Sequence, residues 1–420
     1  MRLVKCEPSS RVHDEMAAWR NSSVISPPSH HHPGNRDAGL DLVRCTALVF
    51  MVFAHFPSSS ESPFISAVYS LTSSAPALFY FAFGMTFSSF AQKTGMLQLR
   101  ITFAFFVVAV FLNLAFAGRY IYNEFFFFLW LSQCAMAVIV ACIGRPLRPM
   151  LLFICVVLLC MVVLPHGYIP GMFSSVVKGN FPFLPWFIFV LAGYCFARKP
   201  LPAVVTGLVL VSISILLHLS GVRNLQLEKY PLSATYITLF GGVTILIYGV
   251  GNRALALSRS SLVVYISENL LLATILHYIT YDVLLAINYP VKHVLGYNVL
   301  AGHPNVQIVV LPIVCVAILV ALIKAALAAW AACRKNKLIA TKIVPNTVAA
   351  ALAIVLLYYM LGSFAGYRML VAKRSMMILG MAYFGFIVRE TRRMEHMDTD
   401  AVYLRSKQVI AGVVRRARNR

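Results

Sequence analysis

Long apolar runs recur along this chain, separated by short links that hold most of its basic residues. They fall near 40–56, 73–90, 99–117, 125–143, 150–165, 183–197, 201–219, 234–250, 261–281 and 306–332, with further stretches at 346–363 and 375–388. Most approach the ~17–25 residues that a helix needs to cross a bilayer. Backbone groups in lipid must be satisfied within their own segment, which makes each run a helix. The pattern predicts an all-α fold, a polytopic membrane helix bundle of ten to twelve transmembrane helices. No internal repeat stands out.

The first run is not uniformly apolar. Leu40-Asp-Leu-Val-Arg-Cys-Thr-Ala-Leu-Val-Phe-Met-Val-Phe-Ala-His-Phe56 carries Asp41, Arg44 and His55. On a helix, Arg44 and His55 are about three turns and ~16 Å apart, and Asp41 precedes Arg44 by one turn, so all three lie on one stripe. Charged groups at membrane depth cost ~2.5–3.5 kcal/mol even on the lenient insertion scale, and they therefore face a bundle interior or a wet cavity.

Composition supports the membrane assignment. Of the 420 residues, 60% are hydrophobic and 12% charged, more apolar surface than a soluble domain can hide. Residues 1–39 are polar, with Pro27-Pro28 and three consecutive His at 30–32, and have no apolar core of a secretory signal. They read as a disordered cytoplasmic tail, because adjacent His alone fix no metal geometry. Residues 40–388 form the membrane domain, with a core at 40–332, and 389–420 a basic cytoplasmic tail. The nine Cys lie mostly within apolar runs and read as small core residues, not as a disulfide framework or metal cluster. No metal is expected.

The net charge of +22 is spread over short links and the C-terminal tail. That is the pattern of topology signals and anionic-lipid contact, so membrane lipids are the expected partner and nucleic acid is not. With a cytoplasmic N-terminus, the inner links hold Lys93, Arg100, Arg145, Arg148, Arg198, Lys199, Arg253 and Arg259. The outer links hold only Arg119, Lys178, Arg223, Lys229 and Lys292, and 57–74 has no basic residue. Positive-inside thus places the N-terminus in the cytoplasm, although Arg368, Lys373 and Arg374 fall outside unless 375–388 lies at the interface.

Among candidate chemical groups, His55 leads. A neutral imidazole near the end of a span can act as general base on a hydroxyl, or carry an acyl group transiently. Arg44 suits an anionic ligand; its structural alternative is an ion pair with Asp41 or Asp37 that pins the helix end. Ser261-Leu-Val-Val-Tyr-Ile-Ser-Glu-Asn269 opens the ninth span with Tyr265, Ser267, Glu268 and Asn269. Glu268 is the only acid well inside a later span, so a partner or a proton is expected for it. Asn113, Ser132 and Gln133 read as interhelical hydrogen-bonding groups. Phe181-Pro-Phe-Leu-Pro-Trp-Phe187 reads as an aromatic belt that sets helix depth.

Arg36-x-x-x-Leu-Asp-x-x-Arg44-x10-His55 resembles the first-helix signature of the acyltransferase-3 family of membrane acyltransferases, within a superfamily that includes heparan glucosaminide N-acetyltransferase-like proteins. Ala75-Pro-Ala-Leu-Phe-Tyr-Phe-Ala-Phe-Gly-Met85 is similar to the second-span stretch, and Phe181 to Gly193 to a "P-W-x-x-x-x-x-x-G" span. The resemblance covers about residues 36–285. Ser261–Asn269 resembles the late "S-Y-x-x-Y-L-x-H" helix, but Glu268 stands at its His position.

The resemblance implies acyl transfer, with acetyl as the default group, from cytoplasmic acyl-CoA to a hydroxyl of an envelope carbohydrate or glycolipid, in a bacterial inner membrane. The donor is a substrate, and no bound cofactor is implied. His55, Arg44 and Asp41 would be catalytic, with His55 as base or acyl carrier, Arg44 positioning the donor and Asp41 orienting Arg44. Glu268, Tyr265, Asn269 and Trp186 would bind substrate. The competing expectation is a secondary transporter or lipid-linked-sugar flippase, in which Arg44, His55 and Glu268 bind substrate or relay protons.

Overall fold

The computed structural model describes residues 36–55, 70–91, 98, 99, 101–103, 105, 106, 109, 110, 125–143, 183–219, 234–253, 260–270, 272–274, 276, 277, 280 and 310–335. Spans expected at 150–165, 346–363 and 375–388, Asn113, and both tails up to 35 and from 389 lie outside them.

Among the described residues the fold is all-helical. Its helices are α1 (Ala38–Ala54), α2 (Ala75–Ala91), α3 (Phe125–Ile143), α4 (Phe183–Phe196), α5 (Pro200–Leu219), α6 (Ala234–Gly251), α7 (Ser261–Glu268) and α8 (Leu311–Lys335). Seven follow the apolar runs to within a few residues; α7 is shorter than the run it opens. Also among the described residues, no helix is long and apolar enough to cross a membrane. The chain divides into Met1–Asp37 and Ala38–Arg420, and every helix belongs to the second unit.

Two local features shape the succession of helices. Arg198 adopts a left-handed backbone (φ 62°), which turns the chain from α4 directly into α5. Helix α7 is capped by Ser260, whose side chain accepts from the Val263 amide, and it breaks at Asn269. Helical geometry then resumes, with the Ala273 amide donating to the Asn269 carbonyl at 2.8 Å.

The helices pack by small residues meeting backbone. A side chain at Gly84 would collide with the Val190 carbonyl, and one at Gly193 with the Phe81 carbonyl, so α2 and α4 touch backbone to backbone. Tyr80 lies 5.7 Å from Trp186 and Phe87 6.3 Å from Tyr194, between ring centroids, so these two helices run parallel. Helices α4 and α6 are also parallel, since Trp186 meets Tyr236 and Phe189 reaches Gly241 further along. Helices α5 and α6 are antiparallel: Val204 lies against Gly249, and Val211 against Gly242.

Among the described residues the core has three parts. An aromatic cluster joins α2, α3, α4 and α6 around Tyr80, Phe128, Trp186 and Tyr236. A second joins α1, α2 and α6 through Val43, Ala47, Phe81 and Tyr248. In the third, Leu48 and Val52 of α1 pack on Ile266, Ala273 and the α8 residues Leu311, Cys315, Leu319 and Ile323.

Candidate functional site

Among the described residues, helix α1 and the segment from α7 to Thr280 meet at two polar couples. At the first, the Ser267 hydroxyl donates to Asp41 Oδ1 at 2.5 Å, and Arg44 Nη1 donates to Ser267 Oγ at 3.4 Å. Asp41 and Ser267 are buried and Arg44 is half-buried. At the second, His55 Nε2 and His277 Nε2 stand 3.1 Å apart, with ring centroids 5.1 Å apart and planes inclined by 26°. His277 is 4% exposed, whereas His55 is exposed at the end of α1.

Residue numbers rise together on the two sides, 41 to 55 against 267 to 277, so the segments run parallel. Arg44 and His55 are separated by ~16 Å of helix rise. Leu48 and Val52 fill the interval, packed on Ile266 and Ala273. The stripe expected from the first run is therefore two polar stations with an apolar layer between them.

Each station suits different chemistry. The guanidinium of Arg44 offers donors to an anion while one of its N–H groups rests on Ser267. His55 offers an imidazole that a second imidazole holds from behind. The hydroxyls of Thr274 and Thr280 are turned back onto the Leu270 and Leu276 carbonyls, so neither competes for the histidines.

No family model, curated protein or solved structure matches this chain. The arrangement of the site itself therefore carries the functional interpretation.

Several expected site residues stand elsewhere than expected. Asp41 reaches Arg44 through Ser267 by the bonds just described. Glu268 is exposed, and the inward position next to it belongs to Ser267. One residue is ~100° of helix rotation, enough to turn the carboxylate away from the α1 face. Asn269 donates its side-chain amide to the Tyr265 carbonyl at 2.9 Å, which commits it to holding the break after α7. Tyr265 is half-buried against the third core, and its hydroxyl has no hydrogen-bond partner among the described residues.

Trp186 is 0% exposed and packed between Tyr80, Phe189 and Tyr236, in the aromatic cluster of α2, α3, α4 and α6. It and Phe187 are core residues, not an interfacial belt. Gln133 bonds Thr102 at 2.7 Å across helices, as expected of it, while Ser132 is buried with no hydrogen-bond partner among the described residues. The described Cys45, Cys134, Cys195 and Cys315 are free thiols. Among the described residues no three His, Cys, Asp or Glu side chains gather as metal ligands.

His277 was not singled out from the sequence. Its signal was available: an imidazole within Leu270-Leu-Leu-Ala-Thr-Ile-Leu-His277, an otherwise apolar run in which an ionisable group is a site candidate by default.

Proposed function

We propose that this chain is a polytopic membrane acyltransferase that moves an acyl group from acyl-CoA to a carbohydrate hydroxyl. The single observation that carries the proposal is the parallel pairing of α1 with the 261–280 segment. It supplies an anion-binding arginine at one end and an exposed, backed imidazole at the other.

Membrane insertion has three supports. The outward face of α5 is apolar: Leu201, Val205, Leu208, Val209 and Leu216 are each more than half exposed. Contiguous apolar patches of that kind are uncommon on soluble monomers. Gly-to-backbone helix contacts are those of bundles in lipid, where small residues let helices approach. Counted by hydropathy, α1, α2, α4, α5, α6 and α7 belong to spans one, two, six, seven, eight and nine. Helices of equal parity must then be parallel, as are α1 with α7, α2 with α4, and α4 with α6. Helices α5 and α6, of opposite parity, are antiparallel.

In the reaction, Arg44 binds the anionic donor near the cytoplasmic end of α1, with charge-assisted hydrogen bonds to a phosphate. Ser267 and Asp41 hold Arg44 in place. The thioester approaches His55, which removes the proton of the acceptor hydroxyl. The acceptor oxygen bonds to the acyl carbon, the carbon–sulfur bond breaks, and the CoA thiolate leaves and is protonated. Tyr265, packed against the third core with a buried hydroxyl that makes no hydrogen bond among the described residues, is the acceptor-binding candidate.

The test is incubation of purified protein, in liposomes, with acetyl-CoA labelled in the acetyl group. Release of free CoA, with label on added glycan or on the protein, is the expected result, and His55→Ala abolishes it without lowering membrane levels. Intact acetyl-CoA with every acceptor, and no donor binding, moves the transporter alternative ahead.

A further inference from the structure

His277 reaches back along its own helix, and its Nδ1 contacts the carbonyl oxygen of Thr274. A carbonyl only accepts, so the hydrogen is on Nδ1 of His277. A doubly protonated His277 would bury a full positive charge against a second imidazole, which is costly. The ring is therefore neutral, and its Nε2 carries a lone pair. That lone pair lies 3.1 Å from Nε2 of His55, hydrogen-bond distance, so the hydrogen between the rings comes from His55. A neutral His55 protonated at Nε2 has its basic lone pair on Nδ1.

We propose that His277 is a positioning residue that fixes the tautomer of His55, making Nδ1 of His55 the atom that takes the acceptor's proton. The catalytic role rests on the acyl-transfer function above; the tautomers do not. As the acceptor hydroxyl attacks the thioester carbon, its proton moves to His55 Nδ1. The imidazolium so formed still donates from Nε2 to the lone pair of His277, which stabilises it. The carbon–sulfur bond breaks, the thiolate takes the proton from Nδ1, and the pair returns to its starting state. A neutral imidazole thus does for His55 what a carboxylate or backbone carbonyl does for other site histidines: it selects which nitrogen is basic. The Thr274 contact lies within one helix turn, so it orients His277 independently of α1.

The experiment is nitrogen NMR of the full-length protein, labelled in histidine nitrogen, in lipid nanodiscs at pH ~8, above the ordinary imidazole pKa of ~6.5. His55→Ala and His277→Ala spectra assign the two rings. The expected spectrum has hydrogen on Nδ1 of His277 and on Nε2 of His55. Hydrogen on Nδ1 of His55, or on Nε2 of His277, overturns the proposal. In parallel, CoA release is compared for His277→Gln and His277→Leu. The Gln carboxamide oxygen accepts from His55 Nε2, so Gln stays within ~10-fold of wild type while Leu loses ~100-fold or more. Equal losses in the two variants also overturn it. If wild type shows the expected tautomers but releases no CoA, acyl transfer fails and the assignment of the rings stands.

Discussion

The hydroxyl of Ser267 closes on the carboxylate of Asp41 across 226 residues of sequence, at 2.5 Å and in the buried interior. A carboxylate at that depth needs donors, and Ser267 supplies one from another helix. The bond thereby ties α7 to α1 and sets the level at which Arg44 meets Ser267. The same register brings His277 to His55 further along.

Ser267→Ala removes that donor and leaves Asp41 buried with one bond fewer. Hydrogen bonds to charged groups contribute ~1.5–3 kcal/mol, and the expected loss of stability is of that order. Asp41→Asn keeps an oxygen for Ser267 and loses less. Thermal unfolding in detergent, compared across the three proteins, reads both effects. A Ser267→Ala transition unchanged from wild type would mean that the bond stabilises nothing.

Arg44→Ala removes the guanidinium proposed to bind the donor, so KM for acyl-CoA rises by ~10-fold or more, equivalent to ~1.4 kcal/mol, with a smaller change in kcat. Arg44→Lys restores only part of the affinity, because an ammonium cannot offer a fork of donors to the ligand and Ser267 together. Initial rates of CoA release against donor concentration separate the two constants. A fall in kcat at constant KM would assign Arg44 to the chemical step instead.

Gly193→Leu places a branched side chain where α4 meets the Phe81 carbonyl of α2. Overpacking of a close core contact costs ~1–3 kcal/mol, and here the obstacle is backbone that cannot rotate away. The expected outcome is a lowered melting temperature and a broadened size-exclusion profile. Leu in place of Gly241, where the nearest side-chain atom stands 3.4 Å from an added Cβ, is the milder control.

Much of the helical framework was legible because an apolar run and the helix it forms share the same ends. The stripe on α1 was legible too: Asp41 is buried, Arg44 half-buried, and both face the segment that starts at Ser261. What the runs do not encode is which side chain across the bundle answers each polar group. Glu268 drew attention by its charge, but the residue turned toward Asp41 is the uncharged Ser267. His277 bonds the Thr274 carbonyl within its own run, but the imidazole it faces lies 222 positions earlier. Trp186 matched a short aromatic–proline pattern, yet such a pattern cannot distinguish a ring that caps a helix from one sealed among Tyr80, Phe189 and Tyr236.

The parity of the packed helices makes sidedness testable. If α1 leaves the cytoplasm, the α4–α5 link and the end of α6 are cytoplasmic, while the start of α2 and the start of α8 face outward. Lys199, Arg253, Leu71 and Val310 are exposed at those four places. Each is changed singly to Cys in a protein whose native cysteines are replaced by Ser. A membrane-impermeant thiol reagent applied to intact cells is expected to label Leu71→Cys and Val310→Cys and to spare Lys199→Cys and Arg253→Cys. Inverted membrane vesicles reverse the result. Labelling of all four from one side would break the alternation on which the membrane topology depends. It would also remove the proposed cytoplasmic access of Arg44 to the donor, which depends on α1 crossing the membrane as proposed.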